Sequence, residues 1–224
     1  MKVIITGATG MVGKGVLLEC LETESVAAVL AVNRNSLDIA HPKLKQVLLE
    51  DFSQPETIKD NLSGYDACFY CMGISSFGLN EESYTLVTYD MTKSFATLLH
   101  ELNPDMIFNY VSGSGTDSSE KGKIMWARVK GRTENMVLNM GFKDAYAFRP
   151  GLILPVKGVK SKTAWYNAFY VAARPLFPLL IRLNSVTTSA AVGQAMIASV
   201  LHPVNKKHLE NRDINELALT LNPK

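Results

Sequence analysis

The first thirteen residues, MKVIITGATGMVG, restrict the fold more than any other stretch of the chain. Residues 2–6 are a short β-branched run suited to a fully buried strand. Glycines at positions 7, 10 and 13 follow it directly. Residues 13–21 then read as a helix, with Val16, Leu17, Cys20 and Leu21 on its inner side. A strand that turns through spaced glycines into a helix lets bare backbone approach a ligand closely. The N–H groups at the helix start can then stabilise the charge of a pyrophosphate. Gly7, Thr9, Gly10, Met11, Val12 and Gly13 are the candidate cradle, the alternative being a turn needed only for tight helix–sheet packing.

The rest of the chain repeats the strand–helix alternation. Apolar runs at 26–32, 46–49, 67–71, 106–111 and 145–149 read as buried strands, and 55–62, 82–102 and 123–139 as helices. Strands that are apolar throughout and alternate with helices imply an α/β fold, a parallel sheet covered on both faces. At 224 residues the chain suits one domain. Within it, 1–151 form the cofactor-binding core and 152–224 mainly a small C-terminal substrate lobe and closing elements. Residues 157–183 carry that lobe's aromatic supply in Trp165, Tyr166, Phe169, Tyr170 and Phe177. They suit either an apolar crevice for a small-molecule substrate or a patch for a protein partner.

Composition excludes several classes. A formal charge of +2 argues against a nucleic-acid partner. No stretch has the uninterrupted apolar length of a transmembrane helix, and the start of the chain lacks the pattern of a signal peptide. A cytoplasmic location is the resulting expectation. The three cysteines, Cys20, Cys68 and Cys71, form no disulfide framework. Cys68 and Cys71 are three apart in an extended run, so they face opposite ways and are expected as buried thiols. The histidines, His41, His100, His202 and His208, show no metal-ligand spacing, and no metal is expected.

The end of the second strand bears on the choice of dinucleotide. A carboxylate there would bind the adenosine ribose hydroxyls, whereas an arginine can hold a 2′-phosphate. The residues are Asn33 and Arg34, with no acid until Asp38, which favours NADP while leaving NAD open. Asp51 and Phe52, ending the third strand, are placed beside the adenine, and Cys71, Met72 and Gly73 beside the far ribose.

Taken together, GATGMVGKGVL (7–17), DACFYCMG (66–73), NYVSGSGTD (109–117), VKGRTE (129–134) and FRPG (148–151) resemble the short-chain dehydrogenase/reductase superfamily. The closest resemblance is to its atypical branch of Tat-interactive-protein-like oxidoreductases and nucleoside-diphosphate-sugar epimerase-like proteins. It continues through TTSAAVGQAMI (187–197) and HLENRDINELA (208–218). The resemblance implies a Rossmann-like doubly wound sheet, a nicotinamide dinucleotide and a crevice at the carboxyl ends of the strands. It also implies a Ser/Thr–Tyr–Lys catalytic group, and it places Arg149, Pro150 and Gly151 beside the nicotinamide.

At the catalytic positions the chain departs from that pattern. Lys130 matches the lysine, which would also bind the cofactor ribose, but the residue one helical turn earlier is Trp126. Indole has no ionisable proton near neutral pH and cannot serve as general acid or base. Trp126 therefore closes the pocket of a protein that binds without turnover, lines the pocket of an enzyme with another donor, or belongs to a structural helix. Ser112 and Ser114 both follow the fifth strand where the resemblance implies a serine, with Gly113 between them. The expected function is that of an NADP-binding oxidoreductase or epimerase-like enzyme acting on a small carbonyl or hydroxyl substrate. The alternative is a nucleotide-binding regulator or scaffold.

Overall fold

The computed structural model describes residues 1–159, 183 and 185–221. Seven parallel strands form one sheet in the order β3-β2-β1-β4-β5-β6-β9. Its members are β1 (Lys2–Thr6), β2 (Ala28–Asn33), β3 (Leu44–Leu48), β4 (Ala67–Tyr70), β5 (Ile107–Val111), β6 (Asp144–Arg149) and β9 (His208–Glu210). A separate two-stranded parallel sheet joins β7 (Leu152–Leu154) to β8 (Val186–Thr188). The order reverses between β1 and β4, which opens a crevice at the carboxyl ends of those strands. This is the Rossmann-like arrangement expected from the sequence.

Alternation within each strand fills two separate helix layers. Val3, Ile5 and Phe69 face α1 (Met11–Glu22), α5 (Ser189–Leu201) and α6 (Asn211–Leu221). Ile4, Cys68 and Tyr70 face the opposite layer, with α3 (Met91–Leu102) and the end of α4 (Met125–Leu138). Cys68 and Cys71 accordingly pack into opposite layers, and both are free thiols. Rings dominate the second layer: Tyr70 lies 5.8 Å from Phe108 and 6.0 Å from Phe95 between centroids.

Two differences from the sequence reading have physical causes. The run at 82–102 is not one regular helix. It comprises α2 (Glu81–Thr85), a π-helical turn (Leu86–Asp90) and α3, and the apolar stripe of Phe95, Leu98, Leu99 and Leu102 lies wholly within α3, so it carries no sign of the widened turn before it. No strand was expected after residue 149, yet β7, β8 and β9 are each three residues long, too short for alternation to mark them. Through β9, α5 and α6, residues 186–221 return to the main sheet. The aromatic residues expected to form the substrate lobe, Trp165 to Phe177, lie outside the described residues.

Close backbone approach joins α1 to α5. A Cβ on Gly15 would stand 2.6 Å from Ser189 Cβ, and one on Gly193 would stand 3.0 Å from Val16 Cα. Phe108 is completely buried between stacked rings. Phe108→Ala is predicted to cost about 3–5 kcal/mol, measured by denaturant unfolding.

Candidate active site

The glycine turn is set by its own contacts. Gly7 has φ +70, and a Cβ there would lie 2.7 Å from the backbone of Cys71 and Met72. A Cβ on Gly13 would overlap the Gly7 carbonyl, and Gly10 N donates to Gly7 O at 2.9 Å. The turn is therefore wound tightly against the end of β4, with room for backbone alone. The start of α1 carries no side-chain cap. Asn80 and Thr188 cap theirs with a side-chain oxygen, whereas the cap of α1 is Gly10, with no side-chain bond and no acidic residue in the first turn. The first N–H groups of a helix lack intrahelical partners, so this end is left to an anionic ligand. Among the cradle residues, Met11 packs against Leu154 and Val186, and Val12 packs against the core. Those two side chains are thus committed to packing.

Beside this turn lies a groove lined by Gly7, Thr9, Gly10, Asn33, Arg34 and Asn35, and on its other wall by Phe52, Cys71, Met72 and Gly73. Asn33 is buried, and its Oδ1 accepts from Ala8 N at 2.9 Å, bracing the turn. Its Nδ2 is buried with no hydrogen-bond partner, an uncompensated donor of the kind a ligand oxygen satisfies. Arg34 is exposed at the rim and makes no ion pair among the described residues. Asp51 stands apart from the groove. It accepts from Ser53 N at 2.8 Å and from Ser53 Oγ at 2.7 Å, and the Ser53 hydroxyl holds its carboxyl below the usual range. Phe52 lines the groove and packs on Phe95, with centroids 5.5 Å apart. Burial pushes the Cys71 thiol far up, so it is not a nucleophile.

One strand further along the same edge, the residues after β5 dock on α4. Lys130 Nζ donates to Ser112 O, and Ser112 Oγ donates to Glu134 one turn later on α4. Burial lowers the Lys130 ammonium to about 8, against the opposing pull of Glu134. Ser112 is buried, whereas Ser114 is exposed and its hydroxyl makes no bond among the described residues. Trp126 occupies the first turn of α4, and a Cβ on Gly115 would stand 3.6 Å from its Cη2, so the indole lies against the 113–115 turn.

The third expected segment packs against this same cluster. Arg149 donates to Glu134 Oε1 at 2.9 Å, to Glu210 Oε1 at 3.1 Å and to Ser118 Oγ at 2.5 Å. Pro150 O accepts from Ser114 N, and Gly151 N donates to Asn211 Oδ1, both at 2.9 Å. None of the three lines the groove described above. Glu134, fully buried, was missed by sequence reasoning. Its signal was its place four residues after Lys130 on one helix face. Among the described residues no group of His, Cys, Asp and Glu is placed to hold a metal ion.

Residues 3–137 match the family described as NAD dependent epimerase/dehydratase. The chain belongs to this family. Its cofactor class is a nicotinamide dinucleotide, and the resemblance to atypical short-chain dehydrogenase/reductases holds. The rat protein HTATIP2 is 28% identical over 154 residues, 68% of this chain and 62% of that protein. The chain thus spans less than two thirds of this relative's length. Protein FMP52, mitochondrial, of Debaryomyces hansenii is 26% identical over 69% of this chain and 67% of its own. Among solved structures, the ADP-L-glycero-D-manno-heptose-6-epimerase of Helicobacter pylori has TM-score 0.70 at 14% identity, covering 99% of this chain and 82% of its own. Bordetella bronchiseptica WbmH, solved with NAD+, has TM-score 0.66 at 16% identity, covering 93% and 74%. The expected cytoplasmic location is corrected by these comparisons, since the fungal relatives are named mitochondrial proteins. Among the described residues, no helix is long and apolar enough to cross a membrane.

Between Lys130 and Glu134, Gly131 meets the Asp117 backbone so closely that a Cβ would overlap the Asp117 carbonyl. Helix propensity alone would make Gly131→Ala stabilising by ~1 kcal/mol. The overlap reverses the sign, and a net loss of about 1–3 kcal/mol is predicted in denaturant unfolding.

Proposed function

We propose that the chain binds NADP in the groove beside the glycine turn and acts as an NADPH-dependent oxidoreductase or epimerase-like enzyme on a small carbonyl or hydroxyl compound. The observation that carries this reading is the pairing of Arg34, exposed and without an ion-pair partner among the described residues, with Asn33, whose buried amide donor is unsatisfied. A guanidinium suits a phosphate monoester, and the end of β2 offers no carboxylate to repel it. Bound there, the dinucleotide supplies or accepts a hydride. Lys130 is the candidate to hold its ribose, and Ser114, with its exposed hydroxyl, is the serine best suited to meet a substrate oxygen.

Trp126 favours a second reading, in which the protein binds the dinucleotide and signals or scaffolds without turnover. Its indole stands where the resemblance implies a proton donor and cannot replace one. The tyrosines nearby give little help: burial pushes Tyr110 and Tyr84 above their ordinary range.

Calorimetric titration with the phosphorylated and unphosphorylated dinucleotides tests the binding claim. Arg34→Ala is expected to weaken NADP(H) roughly tenfold, about 1.4 kcal/mol, with NAD(H) little changed. Equal affinity of the unaltered protein for both would overturn the preference. NADPH consumption across aldehydes, ketones and quinones separates the two readings. Trp126→Tyr is predicted to raise turnover if the remaining site is intact, and to leave it at background if the site serves binding alone.

A further inference from the structure

Ser112 is held twice by one face of α4. Its carbonyl accepts from Lys130, and its hydroxyl donates to Glu134, four residues along the helix. Gly131, between them, lets the 117–118 backbone lie directly on the helix, and Asp117 N donates to Ala127 O at 3.0 Å. Glu134 is fully buried, and a buried carboxylate needs compensation. Arg149 supplies it with Nε at 2.9 Å and a second nitrogen at 2.5 Å, the paired geometry that keeps a carboxylate charged. Arg149 is in turn held by Glu210, and His208 Nε2 lies 3.6 Å from Glu134 Oε2. One carboxylate therefore joins the helix, the turn after β5, and strands β6 and β9.

We propose that Glu134 is a positioning residue for the site. It fixes Ser112 by its hydroxyl, so that the Ser112 carbonyl stays under the Lys130 ammonium, and it sets the charge that Lys130 experiences. On this assignment Ser112 is a tether, which leaves Ser114 as the serine free to meet a ligand. The charged and titratable groups around the pair are Tyr110 on β5, Arg149 on β6, and His208 and Glu210 on β9. Glu134 is the charged neighbour that opposes the effect of burial on Lys130. Removing its charge while keeping an acceptor oxygen therefore pulls the ammonium lower still. Removing the tether instead lets water reach Lys130 and moves it back up.

These opposite directions distinguish positioning from a role in folding alone. The assignment rests on the proposed function only in treating Lys130 as cofactor-facing. The decisive measurement, competitive acetylation of every lysine across the amine titration range read by peptide mass spectrometry, needs no dinucleotide. In the unaltered protein Lys130 should lose its proton near pH 8. In Glu134→Gln it should be roughly fivefold more reactive at neutral pH, because the charge that opposes burial is gone. In Ser112→Ala it should be less reactive than in the unaltered protein. Unchanged Lys130 reactivity in a Glu134→Gln protein that melts cooperatively would overturn the assignment. Should that variant not fold, unchanged reactivity in Ser112→Ala would do so. NADPH is expected to protect Lys130 from acetylation. Lack of protection would count against the cofactor reading and leave the effect of Glu134 standing.

Discussion

The closeness of two stretches of backbone at the first crossover governs the rest of the site. Gly7 sits against the chain leaving β4, and Gly13 sits against Gly7, so neither position has room for a Cβ. The tightness fixes the start of α1 relative to the sheet and leaves its first amides pointing out from a cap without a side chain. An anion at that end gains from several unpartnered N–H groups and from the helix dipole together. Asn33 adds to the same purpose, since one end of its amide braces the turn and the other remains an unused donor.

Charge is arranged differently one strand away. Around α4, polar groups are paired into a network of Lys130, Ser112, Glu134, Arg149 and Glu210, with Ser112 and Glu134 buried. Such a network is costly to break because Glu134 left alone is a buried charge and Ser112 left alone an unsatisfied hydroxyl. The groove under the glycine turn thus keeps an unsatisfied donor in Asn33, whereas Ser112, Glu134 and Arg149 satisfy one another. A scaffold of this kind holds Lys130 and the 112–118 turn in fixed relation, with Trp126 standing where the resemblance implies a tyrosine.

How much of this was legible in the sequence depended on how local each feature is. The glycine turn could be read because its spacing is contiguous, and the parallel sheet because each core strand is a run of apolar residues. Asn33 and Arg34 could be placed by counting to the end of a strand, but not the orientation that turns the Asn33 amide into the loop. The roles of Ser112 and Arg149 were hidden for another reason. Both depend on Glu134, and in the sequence Glu134 looks like any helix-surface acid, being buried only once β6 and β9 close over it. Strand β9 itself is three residues long and comes after a stretch with no strand pattern. Its pairing with β6 is a tertiary fact that no short window of sequence contains.

The account depends on phosphate oxygens lying on the open amides at the start of α1. An amide-resolved NMR titration with NADP tests this most directly. The predicted result is that the N–H signals of residues 7–13 and of Arg34 shift together and saturably, with those of the α5–α6 layer unmoved. Saturable shifts confined to other parts of the chain, or none at all, would contradict it.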